Sequence, residues 1–410
     1  MFVLNTLGIK LQKKAQQQAI NSTYTQFHRA NNKEYNGDNK NKKETRMHIK
    51  IETEKLQKNL ELSSRVSTKH VTLSVLQCVL LEAKNEKLTI KATNLELGIE
   101  AILPCEIEEE GLVAVPASTL LQTVNLVNQK EVTLRVEDGT LVVESLGSET
   151  HIKTIPFDEF PNIPKLEGEG QVINNQLFNL GIKHTVFAAS VSSIKPELGS
   201  VYIYQKKEHT LTFVATDSFR LMEKTVPQKG VVLDNSVLIP HKNALELSRI
   251  CELKEENPIL RISENQCSIE FPDGFYLTSR LVNGSFPDYE QIIPKEYVTH
   301  STVLKNDLVK AFKKTNIFLN KFLQVSLHVT DKSITVSANS GELGTTTESL
   351  PAQTDGDDIV LNFNQRYINE ALSHFVDDSI VLNFAGVGRP MVIKGVSEGS
   401  VRYLVMPMNK

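Results

Sequence analysis

The chain has no tryptophan, only four cysteines, and no apolar run near the ~18 residues that a membrane-crossing helix requires. The missing tryptophan excludes nothing. Cys78, Cys105, Cys251 and Cys267 lack C-x-x-C spacing, which argues against a zinc ribbon or a dithiol pair and fits buried, reduced thiols of a cytoplasmic protein. G-x-x-x-x-G-K-[ST], G-x-G-x-x-G and G-x-S-x-G are absent, so no phosphate-cradling loop or nucleophile elbow is present. H-x-x-x-H and Cys/His clusters of zinc spacing are missing too, and neither a metal nor a cofactor is expected. The net charge is −4, so the whole chain is not a basic nucleic-acid binder.

That charge is unevenly placed. Residues 1–46 hold nine Lys and Arg against three acids, about +6, which leaves about −10 for the remainder. This segment is rich in Gln, Asn and Lys and has no signal-peptide core. Two readings stay open: a disordered basic arm that touches DNA, or a tail without specific function or a misassigned start, with Met47 the true first residue.

What is present is a threefold repetition. V-A-T-D-S-F-R-L at 214–221 ends an alternating strand pattern and turns at Thr216-Asp217-Ser218. L-T-I-K-A-T-N-L-E-L at 88–97 and I-T-V-S-A-N-S-G-E-L at 334–343 repeat it, with Ala92, Ala215 and Ala338 spaced 123 residues apart. A strand followed by a helical pattern begins each copy and recurs midway through it, at Val115-Pro116, Ile239-Pro240 and Phe363-Asn364. A period this long exceeds the ~20–50 residues of a solenoid unit and means three copies of one domain. The expected domains are 47–165, 166–296 and 297–410, with F-P segments near Pro161 and Pro287 as linkers. Each holds two helices and about eight short strands, an α+β class. Expected helices include 117–127, 176–189 and 307–319, the last two carrying Lys183, His184, Lys310, Lys313 and Lys314, and Asp138-Gly139 marks a hairpin.

Candidate chemistry is sparse. Asp355, Asp357, Asp358, Asp377 and Asp378 sit where solvated turns are expected. Asp217 is the most enzyme-like carboxylate, yet the matching turns carry Asn94 and Ser340. The scaffold recurs and the candidate chemistry does not, so turn formation is the better reading.

The three copies, A-T-D-S-F-R-L at 215–221, N-G-S-F-P-D-Y at 283–289 and above all Y-L-V-M-P-M at 403–408 resemble the bacterial DNA sliding clamps, the beta subunits of the replicative polymerase, over 47–410. The resemblance implies the DNA clamp fold: a head-to-tail homodimeric ring with helices inside and sheets outside, threaded by double-stranded DNA without sequence readout. It implies no catalysis. It implies a pocket for short linear motifs of polymerase, clamp loader and repair proteins, made by Leu198, Thr216, Ser218, Phe219, Arg220, Leu221, Pro240 and Ala244 with Phe322, Tyr367, Pro390, Leu404, Met406, Pro407 and Met408. It places DNA contacts at Lys69 or His70 and at Ser192 and Lys195, and sets Leu120 and Leu121 of one chain against Ile317 and Phe318 of the other. Ser218-Phe219 replaces the Gly-His often found in the turn, and Asn409 a frequent basic residue. A clamp-like peptide scaffold that closes no ring, or an enzyme using Asp217 and Arg220 in a cleft, remain alternatives.

Overall fold

Met47–Glu52 alternates apolar and polar residues, so Met47, Ile49 and Ile51 turn inward from one face of a strand. The chain then passes straight into α1 (Thr53–Val66). The same strand-into-helix step recurs at α2 (Ala117–Asn125), α3 (Asn175–Thr185), α4 (His241–Leu253), α5 (Lys305–Thr315) and α6 (Gln365–Leu372). Strands follow each helix, so every repeat consists of two strand-helix-strands halves. The computed structural model describes residues 46–67, 73–192 and 194–408; the basic segment apart from Arg46, together with Lys69, His70 and Asn409, lies outside them.

Helices α3 and α5 stop earlier than their apolar periodicity implies, and each gives way to a 3-10 turn, Val186–Ala188 and Asn316–Phe318. A threonine stands at each end. Thr185 Oγ1 donates back to the Gly181 and Ile182 carbonyls, and Thr315 Oγ1 to that of Phe312, which competes with the next helical turn. The Asp138-Gly139 hairpin forms as expected, both residues at positive φ between Glu131–Glu137 and Thr140–Ser145. Ala92, Ala215 and Ala338 are buried at matching places in their strands.

The sheets do not stop at the repeats. Tyr276–Arg280, last strand of repeat two, pairs antiparallel with Leu97–Pro104 of repeat one in an eight-stranded sheet. Val401–Val405, last strand of repeat three, pairs in the same way with Arg220–Pro227 of repeat two in a twelve-stranded sheet. Leu97–Pro104 and Arg220–Pro227 are equivalent, each following the repeated turn. Two counterparts have no such neighbour among the described residues. Ser148–Lys153 pairs on one side only, and Gly344–Gly356 is paired over Gly344–Pro351 by one neighbour only.

The F-P linker between repeats two and three is exposed along most of its length but anchored by two buried rings, Phe286 and Tyr289. Phe286 stacks on Tyr202 with centroids 4.6 Å apart, and Tyr289 donates its hydroxyl to Glu223 at 2.5 Å. It straps the join made by Arg220–Pro227 and Val401–Val405 through the cluster of Val214, Leu221, Val392 and Leu404.

Inside repeat two, Gly181 on α3 lies against Phe213. A Cβ there would fall 2.4 Å from two ring carbons. Gly181→Ala is expected to destabilise the protein by about 2 kcal/mol, because forced overpacking outweighs alanine's helix propensity. Urea unfolding reads this directly; an unchanged or raised midpoint would refute it.

Candidate peptide pocket and ring surfaces

The turn at 216–220 is built by its own side chains. Asp217 Oδ1 accepts from the Phe219 and Arg220 amides at 2.9 and 3.0 Å, and Thr216 Oγ1 donates to the Arg220 carbonyl at 2.6 Å. Repeat one makes the same turn with Asn94, whose Oδ1 accepts from Glu96 and Leu97, and Thr93. Ser218 and Leu95, which match, both sit at positive φ, +78° and +77°. Asp217 is therefore a turn former.

Arg220 is fully engaged. Its Nε donates to Asp217 Oδ2 at 3.0 Å, its Nη2 to the Phe187 carbonyl at 2.8 Å, and its Nη1 to Glu370. Its faces are covered by the Phe187 ring at 5.3 Å and the Tyr367 ring at 4.6 Å. Burial works to raise the Glu370 carboxyl, but hydrogen bonds from Arg220 and Arg366 outweigh it and hold it below the usual carboxylate range. With each of its three nitrogens bonded within the protein and 8 % of its surface exposed, Arg220 is not presented to a ligand carboxylate. It joins repeats two and three. Glu370 and Phe187, its partners, were missed in the sequence, where they stand 150 and 33 positions away with no local pattern linking them.

The Y-L-V-M-P-M strand runs alongside. Leu404 stands opposite Leu221, and Leu221 opposite Thr216. The register of Tyr202 with Val214, carried two residues on, brings Ser200 level with Thr216, and Ser200 pairs with Pro240. Pro240, Thr216, Leu221 and Leu404 thus lie in one row across the sheet. Met406 donates its amide to the Phe219 carbonyl at 2.8 Å, Phe219 lies 6.5 Å from the Tyr367 ring, and Met408 is bridged to Asn362. Asn364 reaches the Phe322 carbonyl, which brings Phe322 to the same end, and Pro390 precedes Met391, the partner of Val405. Apart from Leu198 and Ala244, the predicted residues come together, with corrections. Ala244, Leu221 and Leu404 are 0–1 % exposed, and Leu198 and Thr216 are buried, because strand and helix packing closes over them. The accessible members are Ser218, Phe219 and Phe322, with Pro240, Tyr367, Pro390, Met406, Pro407 and Met408 half-buried.

On the predicted dimer face, Leu120 is fully buried in the core beneath α2, so Leu121 is the outward member of that pair; Ile317 is 65 % exposed and Phe318 half-buried. In the predicted DNA loop, Ser192 and Lys195 are exposed beside Val191 and Ile194, which are exposed as well. The basic helix residues are mostly neutralised: Lys183 pairs with Glu252, Lys310 with Asp307 and Lys314 with Glu348.

A cleft of about 520 Å³ opens elsewhere in repeat two, between the 231–238 and 260–264 segments, and its lining includes neither Asp217 nor Arg220. Among the described residues no three His, Cys, Asp or Glu side chains gather as a metal site, and no helix is long and apolar enough to cross a membrane. Burial pushes the Cys78 and Cys105 thiols up to about 11 and those of Cys251 and Cys267 to about 12, as expected of unreactive thiols.

Models of the DNA polymerase III beta subunit match in three parts: the N-terminal domain at residues 47–164, the central domain at 172–288 and the C-terminal domain at 290–409. The chain is 27% identical to the beta sliding clamp of Vibrio cholerae over 366 residues, covering 88% of this chain and 100% of the relative. It is 29% identical to that of Caulobacter vibrioides over 373 residues, with the same coverage. The crystal structure of the DNA polymerase III beta subunit from Thermotoga maritima superposes with a TM-score of 0.84 at 25% identity, over 89% of this chain and 100% of that one.

Proposed function

Because the chain belongs to the DNA polymerase III beta subunit family, the bacterial DNA sliding clamps, we propose that it closes with a second copy into a ring around duplex DNA and tethers its partners through the pocket between repeats two and three. It serves DNA replication as a clamp of the polymerase III holoenzyme and not as an enzyme.

One observation carries ring closure. Each join between repeats pairs the last strand of one with the strand after the turn of the preceding one. The strands left over are Ser148–Lys153 and the open edge of Gly344–Gly356, the two types that pair at the other joins. A second copy placed head to tail satisfies both edges, and such a heterologous contact closes a ring. Leu121, Ile317 and Phe318 would seal that contact. The paired state of Lys183, Lys310 and Lys314 supports weak, mobile phosphate contacts, so retention on DNA is topological and the salt dependence shallow. Ser192 and Lys195, with Lys69 or His70, would meet the backbone. The pocket's half-buried Met and Pro floor suits short apolar motifs of polymerase, clamp loader and repair proteins. Burial of the thiols is consistent with a cytoplasmic site of action.

Light scattering at micromolar concentration tests the ring. The expected mass is about twice the 45.9 kDa protomer, with retention on circular but not linear DNA. Ile317→Asp is expected to give the protomer mass and abolish retention, since a charge buried at a contact is costly. A wild-type monomer would overturn the ring and leave a peptide-binding scaffold.

A further inference from the structure

Repeat two departs from its neighbours at one point. In repeat one Glu106–Glu109, which continues Leu97–Pro104, pairs with Met47–Glu52, and in repeat three the end of Gly344–Gly356 pairs with Thr299–Leu304. Each pairing links the two halves of its repeat. The equivalent segment of repeat two follows Arg220–Pro227 and forms no strand. Lys229 and Gly230 turn it aside, Gly230 at φ +80°, and the opening strand is cut to Gln171–Val172. Glutamine side chains bridge the halves instead. The Gln171 amide bonds both the N–H and the C=O of Val232, at 2.6 and 2.8 Å. The Gln205 amide reaches the Val231 carbonyl at 3.0 Å and the Leu233 N–H at 3.1 Å. Such a bridge spans a wider gap than the ~4.8 Å of a ladder. The cleft of about 520 Å³ opens beside it, a volume within the ~300–1,000 Å³ usual for binding sites.

We propose that this cleft docks an extended, basic segment of a partner protein, in which Lys or Arg alternates with Val or Ile. Charge selects the occupant. Glu169, Asp234 and Glu264 line the cleft, all exposed and none with an ion-pair partner among the described residues. The one cation in the lining, Arg261, is taken by Glu270 and the Gly168 carbonyl. Three uncompensated carboxylates attract a cationic segment and repel nucleic acid or an acidic peptide. Val232 and Ile262 in the lining, and Val172 next to Gln171, are large apolar side chains left exposed, and they suit the apolar members of the segment. An extended chain sends alternate side chains to opposite faces, so one face meets the acids and the other the apolar margin. The main chain of 234–236 makes no hydrogen bond among the described residues and is free to pair with a guest backbone. No residue assigned to the ring contact or to the 403–408 pocket lines the cleft, so the inference goes beyond both and depends on neither.

Random decapeptides displayed against the full-length protein, with Asp234→Lys used for counter-selection, test it, followed by affinities of the synthesised winners. Asp234 and Glu264 are exposed and bond to no other side chain among the described residues, so charge-reversed variants keep the fold, which an unchanged unfolding midpoint checks. Winners should carry two or more Lys or Arg alternating with Val or Ile. Asp234→Lys and Glu264→Lys should each weaken them about tenfold, and Val232→Ser about threefold. The same peptides with Glu in place of Lys or Arg should not bind. Winners without positive charge, winners that bind Asp234→Lys and Glu264→Lys undiminished, or a selection that yields none would overturn the proposal. Self-association that Asp234→Lys abolishes would assign the cleft to a second copy of this chain and overturn the partner reading.

Discussion

Replacing Arg220 by Met will cost about 3 kcal/mol of stability, the lower end of what breaking a buried ion pair costs, because Glu370 keeps Arg366 and retains some solvent. The methionine fills the space between Phe187 and Tyr367 but leaves Asp217 Oδ2 and the Phe187 carbonyl without their donor. Arg220→Lys will not rescue it. An ammonium cannot reach Asp217, Glu370 and the Phe187 carbonyl at once, nor present a flat face to two rings. Chemical denaturation of both variants gives the answer, with peptide affinity as a second readout. Since the guanidinium spaces Tyr367 and hence Phe219, pocket binding should fall in both. Melting at the wild-type midpoint would mean that the join is held by strand pairing alone.

Acid will loosen the same join. His184, on α3, and His374, after α6, meet edge to face at 5.0 Å. Burial is the main cause that lowers both to about 4; Lys183 adds to it at both, while His374 and Lys224 add to it at His184. Glu398 acts in the opposite direction on His184, and Glu370 on His374. An unfolded imidazole takes its proton near pH 6.5, whereas these take theirs near 4. The stability they contribute is whole above about pH 6.5 and is lost as pH falls from there to about 4. Allowing for solvent screening and for the mutual influence of the two rings, the loss is about 3 kcal/mol in all. Unfolding midpoints measured between pH 7 and 4 should drop accordingly. His374→Phe keeps the stack on Phe187 but cannot be protonated, and should flatten that curve. A variant that follows the wild-type slope would assign the acid sensitivity elsewhere.

Much of this was legible in the order of residues. Ala92, Ala215 and Ala338 keep their places in the strands, and the Asp138-Gly139 turn forms where its dipeptide dictates. The threefold plan is visible because each repeat must bury its own apolar faces with the same periodicities. Helix ends were less legible: the periodicity of 176–189 continues past Thr185, where the helix gives way to a 3-10 turn and the Thr185 hydroxyl bonds back to Gly181 and Ile182.

The sequence by itself determined the class, the repeats, the family and which residues gather near the 403–408 strand, because those follow from local pattern and motif. Tertiary structure alone decided that Ala244 and Leu120 face cores, that Arg220 is spent between Asp217, Glu370 and two rings, and that two strand edges are left unpaired among the described residues. Such facts depend on groups up to 150 positions apart, and no periodicity along a chain encodes which of two apolar neighbours a distant strand will cover.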